Sequence, residues 1–337
     1  MRAFEKAPPD VQEILRKPIK DLGLKLEGSP LERYVHRLYR ELERKGLKHF
    51  RPTCYLTDEW GCPSGEPVIG IPFYLADPKL ARLEREMNDL EDEREILMYL
   101  RHEAGHAFNY AYRLYKTTEW RALFGPFRRP YRDHYRPVPF SRRYVRHIAG
   151  WYAQKHPDED FAETFAVWLT PRSNWRKKYK GWGALNKLKY VDRMARRYRD
   201  VPPERATGSA DITVEEMEMT VEDHYRRMQE VPLSPEELPL DTDLGDIFIA
   251  SRRRKKGIRP AKDLLEENRK ALIDKAATWT GVSRPLVKRL VEAIETRVSE
   301  LGLSAEIRRE REHLAEVSAY VTALAMNYIT RGRFVQT

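Results

Sequence analysis

His102-Glu103-Ala104-Gly105-His106 is the segment whose residue types and spacing most directly imply chemistry. Two histidines four residues apart on a helix share one face, a turn apart, so both imidazoles can reach one ion. The glutamate between them cannot easily be a third ligand, but it can reach a water held by that ion. Zinc brings the pKa of such a water towards about 7. Glu103 can then accept its proton and later return it to a leaving amine. The motif sits in an otherwise apolar helical pattern, where three polar side chains without a partner would be costly.

A hydrolytic zinc site needs three protein ligands and one open position. A third histidine six residues after His106 is ruled out, because Asn109 and Tyr112 stand where that longer motif needs Gly and His. The stretch Pro157–Leu169 reads as a second helix. It carries Glu159 and Glu163 four apart, so one carboxylate can bind the ion while the other orients a ligand histidine. Either glutamate, or His156, is a candidate third ligand at this stage. Asp158 and Asp160 read as a solvated acidic face suited to a helix N-terminus. His156, ahead of Pro157, reads as a cap or a solvent-facing residue.

HExxH followed about fifty residues later by E-x-x-x-E resembles the gluzincin branch of the zincin metallopeptidases, which includes thermolysin and the catalytic domain of anthrax lethal factor. Phe161-Ala162-Glu163-Thr164-Phe165-Ala166 is similar to the lethal-factor-like helix. The chain also resembles a bacterial group of zinc-binding metallopeptidases. The likeness covers roughly residues 30–200. It implies an α+β, zincin-like fold, mostly helical with a small sheet, and one catalytic Zn2+ on His102, His106 and Glu159. It further implies Glu163 as support for a ligand histidine and Glu103 as general base. Tyr152, seven residues before Glu159, falls where lethal-factor-like enzymes place a tyrosine near zinc, which implies an oxyanion donor. His224 could take the histidine role found in thermolysin, although an exposed helical histidine is the plainer reading.

The elements that must position these groups follow from periodicity. Ile96, Leu97, Leu100, Ala104, Ala107, Phe108 and Ala111 recur at helical intervals across 92–115. Further helices are expected at 31–39, 158–169, 185–199, 214–228, 262–278, 284–301 and 304–330. Ser283 and Ser304 are read as N-caps and Gly302 as a stop. Residues 53–57 and 68–75 read as short strands. Pro72 makes the second an edge, or marks where the chain leaves the sheet. That edge could pair with an extended peptide. The expected organisation is a metallopeptidase domain over 1–230, a Pro-containing basic linker over 231–260, and a helical domain over 261–337.

The chain has 337 residues, 41% hydrophobic and 34% charged, with a formal net charge of +10. No apolar run is long enough for a membrane span, and the first twenty residues lack a leader's apolar stretch. Two cysteines, Cys54 and Cys62, read as ordinary reduced thiols and suit a cytoplasmic setting. The Arg- and aromatic-rich loop 117–143 reads as an insertion with packed aromatics and solvated arginines. Its composition also suits a nucleic-acid surface or a cleft wall favouring acidic substrates. The run Arg252–Lys256 reads as solvated linker. The expected partner is a peptide or protein substrate. An acidic partner on the basic surface is a secondary expectation, and nucleic acid is disfavoured. Two rivals remain at this stage. One is a SprT-like protease acting on DNA, which the charge favours and the missing third histidine and zinc ribbon oppose. The other is a non-catalytic zinc-binding module, which Glu103 opposes.

Overall fold

The structure is a computed structural model that describes residues 9–87, 90–132, 135, 137–229, 238, 240–250, 257–282 and 284–331. Its architecture is α+β and predominantly helical, with two small sheets. The Cα trace divides into two compact units. The first comprises 1–135, 140–148 and 152–230, and the second comprises 136–139, 149–151 and 231–337.

The first unit opens with helices α1 (Pro9–Arg16) and α2 (Glu32–Arg44), then strands β1 (Thr53–Thr57) and β2 (Val68–Pro72). β1 and β2 pair in parallel, with Tyr55 opposite Gly70. Parallel neighbours need a return leg, and here the return leg also joins the sheet. Gly61 and Gly70 exchange both backbone hydrogen bonds, at 2.7 and 3.3 Å, on the side of β2 away from β1. The edge expected at 68–75 is therefore covered at Gly70 by the chain itself. After Pro72 the backbone turns into a 3-10 segment, Phe73–Ala76, so the strand is shorter than its apolar run.

Helices α3 (Pro78–Met87), α4 (Glu93–Ala111) and α5 (Thr118–Phe124) follow. α4 starts at a reciprocal cap: Glu95 N–H donates to Asp92 Oδ1 at 2.9 Å, and Asp92 N–H donates to Glu95 Oε2 at 3.0 Å. α6 (Pro157–Leu169) has proline in its first turn, and all thirteen residues are buried. Such a helix has no solvated face. Each acidic residue on it must find a partner inside the protein.

α4 and α6 pack closely because Gly105 has no side chain. A Cβ built there would lie 2.7 Å from Ala162 Cα and 2.9 Å from its carbonyl oxygen. α2 is tied to α4 by a buried fork, with Arg101 Nε and Nη2 donating to the Glu41 carboxylate at 2.7 and 2.8 Å. Removing one partner of such a pair costs roughly 3–5 kcal/mol, since the other charge stays buried. α7 (Trp175–Lys178), α8 (Ala184–Arg197) and α9 (Val221–Gln229) complete the unit. The helix expected over 214–228 is split. Thr213 and Glu216 form the anticipated capping box, but it closes only a 3-10 turn at Val214–Glu216 before α9 begins.

The second unit has its own apolar core, drawn from α10 (Asp241–Ile247), α11 (Ala261–Thr280), α12 (Arg284–Glu300) and α13 (Glu310–Arg331). β3 (Ile249–Ala250) and β4 (Ile258–Pro260) flank β5 (Leu303–Glu306), both antiparallel. Ser304 therefore lies in a strand instead of capping a helix, and α13 starts six residues later. Ser283 and the run 252–256 fall outside the described residues. The stretch read as a linker contributes Leu240, Leu244 and Phe248 to this core. Its apolar positions are few and scattered among prolines, which hides them from a periodicity test.

Candidate metal centre

His102, Glu103 and His106 project from the middle of α4, and Glu159 and Glu163 from the facing α6. Three donor atoms converge. His102 Nε2 lies 2.9 Å from Glu159 Oε2, His106 Nε2 lies 3.2 Å from the same oxygen, and the two Nε2 atoms are 3.1 Å apart. Four ligands at about 2.0–2.1 Å in a tetrahedron stand about 3.3 Å apart. All three residues are buried, and they are the cluster suited to a metal among the described residues.

The outer nitrogens explain why the Nε2 atoms face inward. His102 Nδ1 is 2.9 Å from Glu163 Oε1, and Glu163 Oε2 accepts the Ile148 N–H at 2.9 Å. His106 Nδ1 is 2.9 Å from Asp158 Oδ2. Asp158 also accepts from Asn109 Nδ2 at 2.8 Å and from the Tyr110 hydroxyl. With each Nδ1–H donated outward to a carboxylate, both Nε2 lone pairs point at Glu159. With both rings neutral, three acceptors meet with no proton between them, and either a proton or a metal cation relieves that. The charge balance agrees. Glu103, Asp158, Glu159 and Glu163 surround the imidazoles, and no Lys or Arg pairs with any of them among the described residues. Burial alone would depress the His102 pKa, but Glu159 and Glu163 outweigh it and carry it up to about 10. Burial would raise Glu159, yet the two histidines hold it well below the usual range. The site calls for positive charge.

Three residues are placed against expectation. Asp158 and Asp160 are not a solvated face. Asp158 supports His106, and Asp160 is buried against the Lys187 ammonium. The cause is the all-round burial of α6. His224 is buried rather than exposed. Its ring packs 5.0 Å from Phe73 and 5.4 Å from Tyr225. His156 caps α6 by accepting the Asp158 N–H, and its other nitrogen meets the Arg129 carbonyl at 2.8 Å.

Tyr152 lies at the rim, its ring 5.7 Å from that of His102 and its hydroxyl 3.2 Å from that of Tyr131. Tyr131 is a residue that sequence reasoning missed. It comes from the Arg-rich loop, and its hydroxyl donates to Glu159 Oε1 at 2.6 Å. The Lys155 ammonium stands over both rings, at 4.4 and 5.2 Å. Cys62, on the return leg, donates its thiol to the Glu66 carbonyl. Burial first, then Glu103 and Asp158, push that thiol well up, so it stays protonated.

The decisive comparison concerns this segment. Residues 65–204 match the family model described as "Putative zinc-binding metallo-peptidase". The matched stretch spans β2 through α8 and holds all of the triad, so the metallopeptidase resemblance and the buried donor set fall on the same residues. No curated protein and no solved structure gives a match. No helix among the described residues is long and apolar enough to cross a membrane.

Proposed function

We propose that the first unit is a zinc-dependent peptidase, with His102, His106 and Glu159 as the metal ligands. The observation that carries this reading is the convergence of two imidazole Nε2 atoms and one carboxylate oxygen within 3.2 Å, each histidine backed by a buried carboxylate. When bound, zinc supplies an acidified water and a Lewis acid for the scissile carbonyl. Glu103 is the general base. Burial raises its pKa, the two histidines offset part of that rise, and no hydrogen bond ties its carboxylate to another described residue. It takes a proton from the attacking water at its carboxylate and returns it to the departing amine. Tyr152 donates its hydroxyl to the developing oxyanion. Tyr131 holds the outer oxygen of Glu159, leaving Oε2 to face the histidines.

The test is cleavage of a mixed peptide library by the zinc-loaded protein. Hydrolysis abolished by a chelator and restored by zinc is expected. Glu103→Gln should keep the metal and lose about 10²–10⁴-fold in kcat. Zinc-loaded protein that leaves every peptide intact would refute the peptidase assignment.

A further inference from the structure

The chain's excess of positive charge is concentrated in one place. Residues 171–199 contain eleven Lys or Arg and one acid, Asp192, a net +10 that equals the charge of the whole chain. The remaining residues sum to zero. This stretch holds α7, α8 and their connection, flanked by Arg172 and Arg199; within it Lys187 is buried against Asp160 and Arg193 pairs with Glu119. On α8 the exposed positions Lys189, Arg193 and Arg196 fall on one stripe. Asp192 is shared by Arg176 and Arg196. Arg172, Lys177, Lys178, Lys180 and Arg197 have no acidic partner among the described residues.

A second segment brings more charge against the end of α7 and its connection to α8, with Arg146 near enough to Lys178 to add to the lowering of its pKa by burial. The Arg142 carbonyl accepts the Ala184 N–H at 3.1 Å, and the Tyr179 hydroxyl accepts the Arg146 N–H at 3.1 Å. These bonds fasten residues 142–146 against 179–184. The guanidinium groups of Arg142 and Arg146 both lie over the Trp182 ring, at 5.9 and 5.2 Å. Cations are therefore gathered here side by side. Fold stability does not ask for that, because like charges brought together oppose the compact state. Protein–protein interfaces deplete lysine, whereas nucleic-acid interfaces are strongly positive. The single-sign field and the aromatic ring among arginines match a phosphate backbone better than a folded acidic protein.

We propose that the face formed by α7, α8 and residues 142–146 binds the phosphate backbone of nucleic acid without sequence preference. This surface is separate from the metal ligands, and the proposal departs from the sequence-level expectation that disfavoured nucleic acid.

The test is fluorescence anisotropy of the full chain with random-sequence DNA, a labelled 30-mer single strand and its duplex, from 50 to 300 mM salt. The triple variant Lys177→Glu/Lys178→Glu/Lys180→Glu is compared with Lys25→Glu/Lys79→Glu/Arg85→Glu, an equal charge change at exposed sites elsewhere. Binding that weakens steeply with salt is expected. The first triple should lose at least tenfold in affinity and flatten the salt slope for duplex by about 2.7, from roughly 0.9 per phosphate contact. The second should lose less than twofold. Equal losses in both triples, or no binding at 50 mM salt, would overturn the proposal. So would tighter binding to poly-glutamate or to phosphatidylserine-containing vesicles than to DNA. Circular dichroism of each triple confirms that a loss is not unfolding.

Discussion

Asp158 and Glu163 decide which nitrogen of His106 and of His102 faces Glu159. Each accepts from one Nδ1 at 2.9 Å, and each is itself held by further donors, Asn109 and Tyr110 for Asp158 and the Ile148 amide for Glu163. An imidazole freed from its carboxylate can turn over or change tautomer, and its basicity falls. Asp158→Asn and Glu163→Gln should therefore each weaken zinc affinity by about 10–100-fold while leaving the helices folded. Competition with a chromophoric chelator reads this directly, and affinities equal to wild type would remove both residues from the supporting role. The spacing of Glu159 and Glu163 was legible in the sequence, because i and i+4 share a helix face. The part played by Asp158 was not. An acidic residue in a helix's first turn is ordinary at a solvated N-terminus, and only the burial of that turn gives it a partner inside.

α4 and α6 bring their functional groups together because their backbones touch at Gly105 and Ala162. Gly105→Ala would gain about 1 kcal/mol of helix propensity. It would also drive a methyl group into Ala162 Cα at 2.7 Å, where the obstacle is backbone that no rotamer change can move aside. Overpacking of this kind costs about 1–3 kcal/mol, so the variant should be less stable on balance. It should also bind zinc more weakly, since parting the helices pulls Glu159 from the histidines. Urea denaturation with and without zinc checks both effects, and a variant as stable as wild type would show that the helices are not held by this contact. The two site helices were legible from apolar spacing and end signals such as Asp92. Tyr131 was not, because its loop has no periodicity and its partner lies twenty-eight residues away. The clue to the burial of α6 was available: Phe161 to Leu169 contains two polar residues, Glu163 and Thr164.

For the molecule as a whole, the buried His224 makes acid stability predictable. Burial lowers its pKa below the ordinary 6.5, Arg227 lowers it further, and Asp58 opposes the shift. The unfolded chain thus binds a proton more readily than the fold. Stability from this group is intact above about pH 6.5 and is lost as pH falls towards the folded value. His224→Phe removes that term, so its denaturation midpoint should fall less between pH 7.5 and 5.0 than that of wild type. Equal falls would show that His224 does not contribute. The sequence itself gathers the net charge into 171–199, whereas the packing of residues 142–146 onto 179–184, which brings Arg142 and Arg146 beside it, was not legible there.

Metal content and affinity of the intact protein test the central claim most directly, by elemental analysis and competition titration of wild type, His106→Ala, Glu159→Gln and Glu103→Gln. The account predicts one zinc per chain in wild type and Glu103→Gln, with affinity sharply reduced in the other two. Zinc retained equally by all four proteins, or absent from wild type after zinc loading, would contradict it.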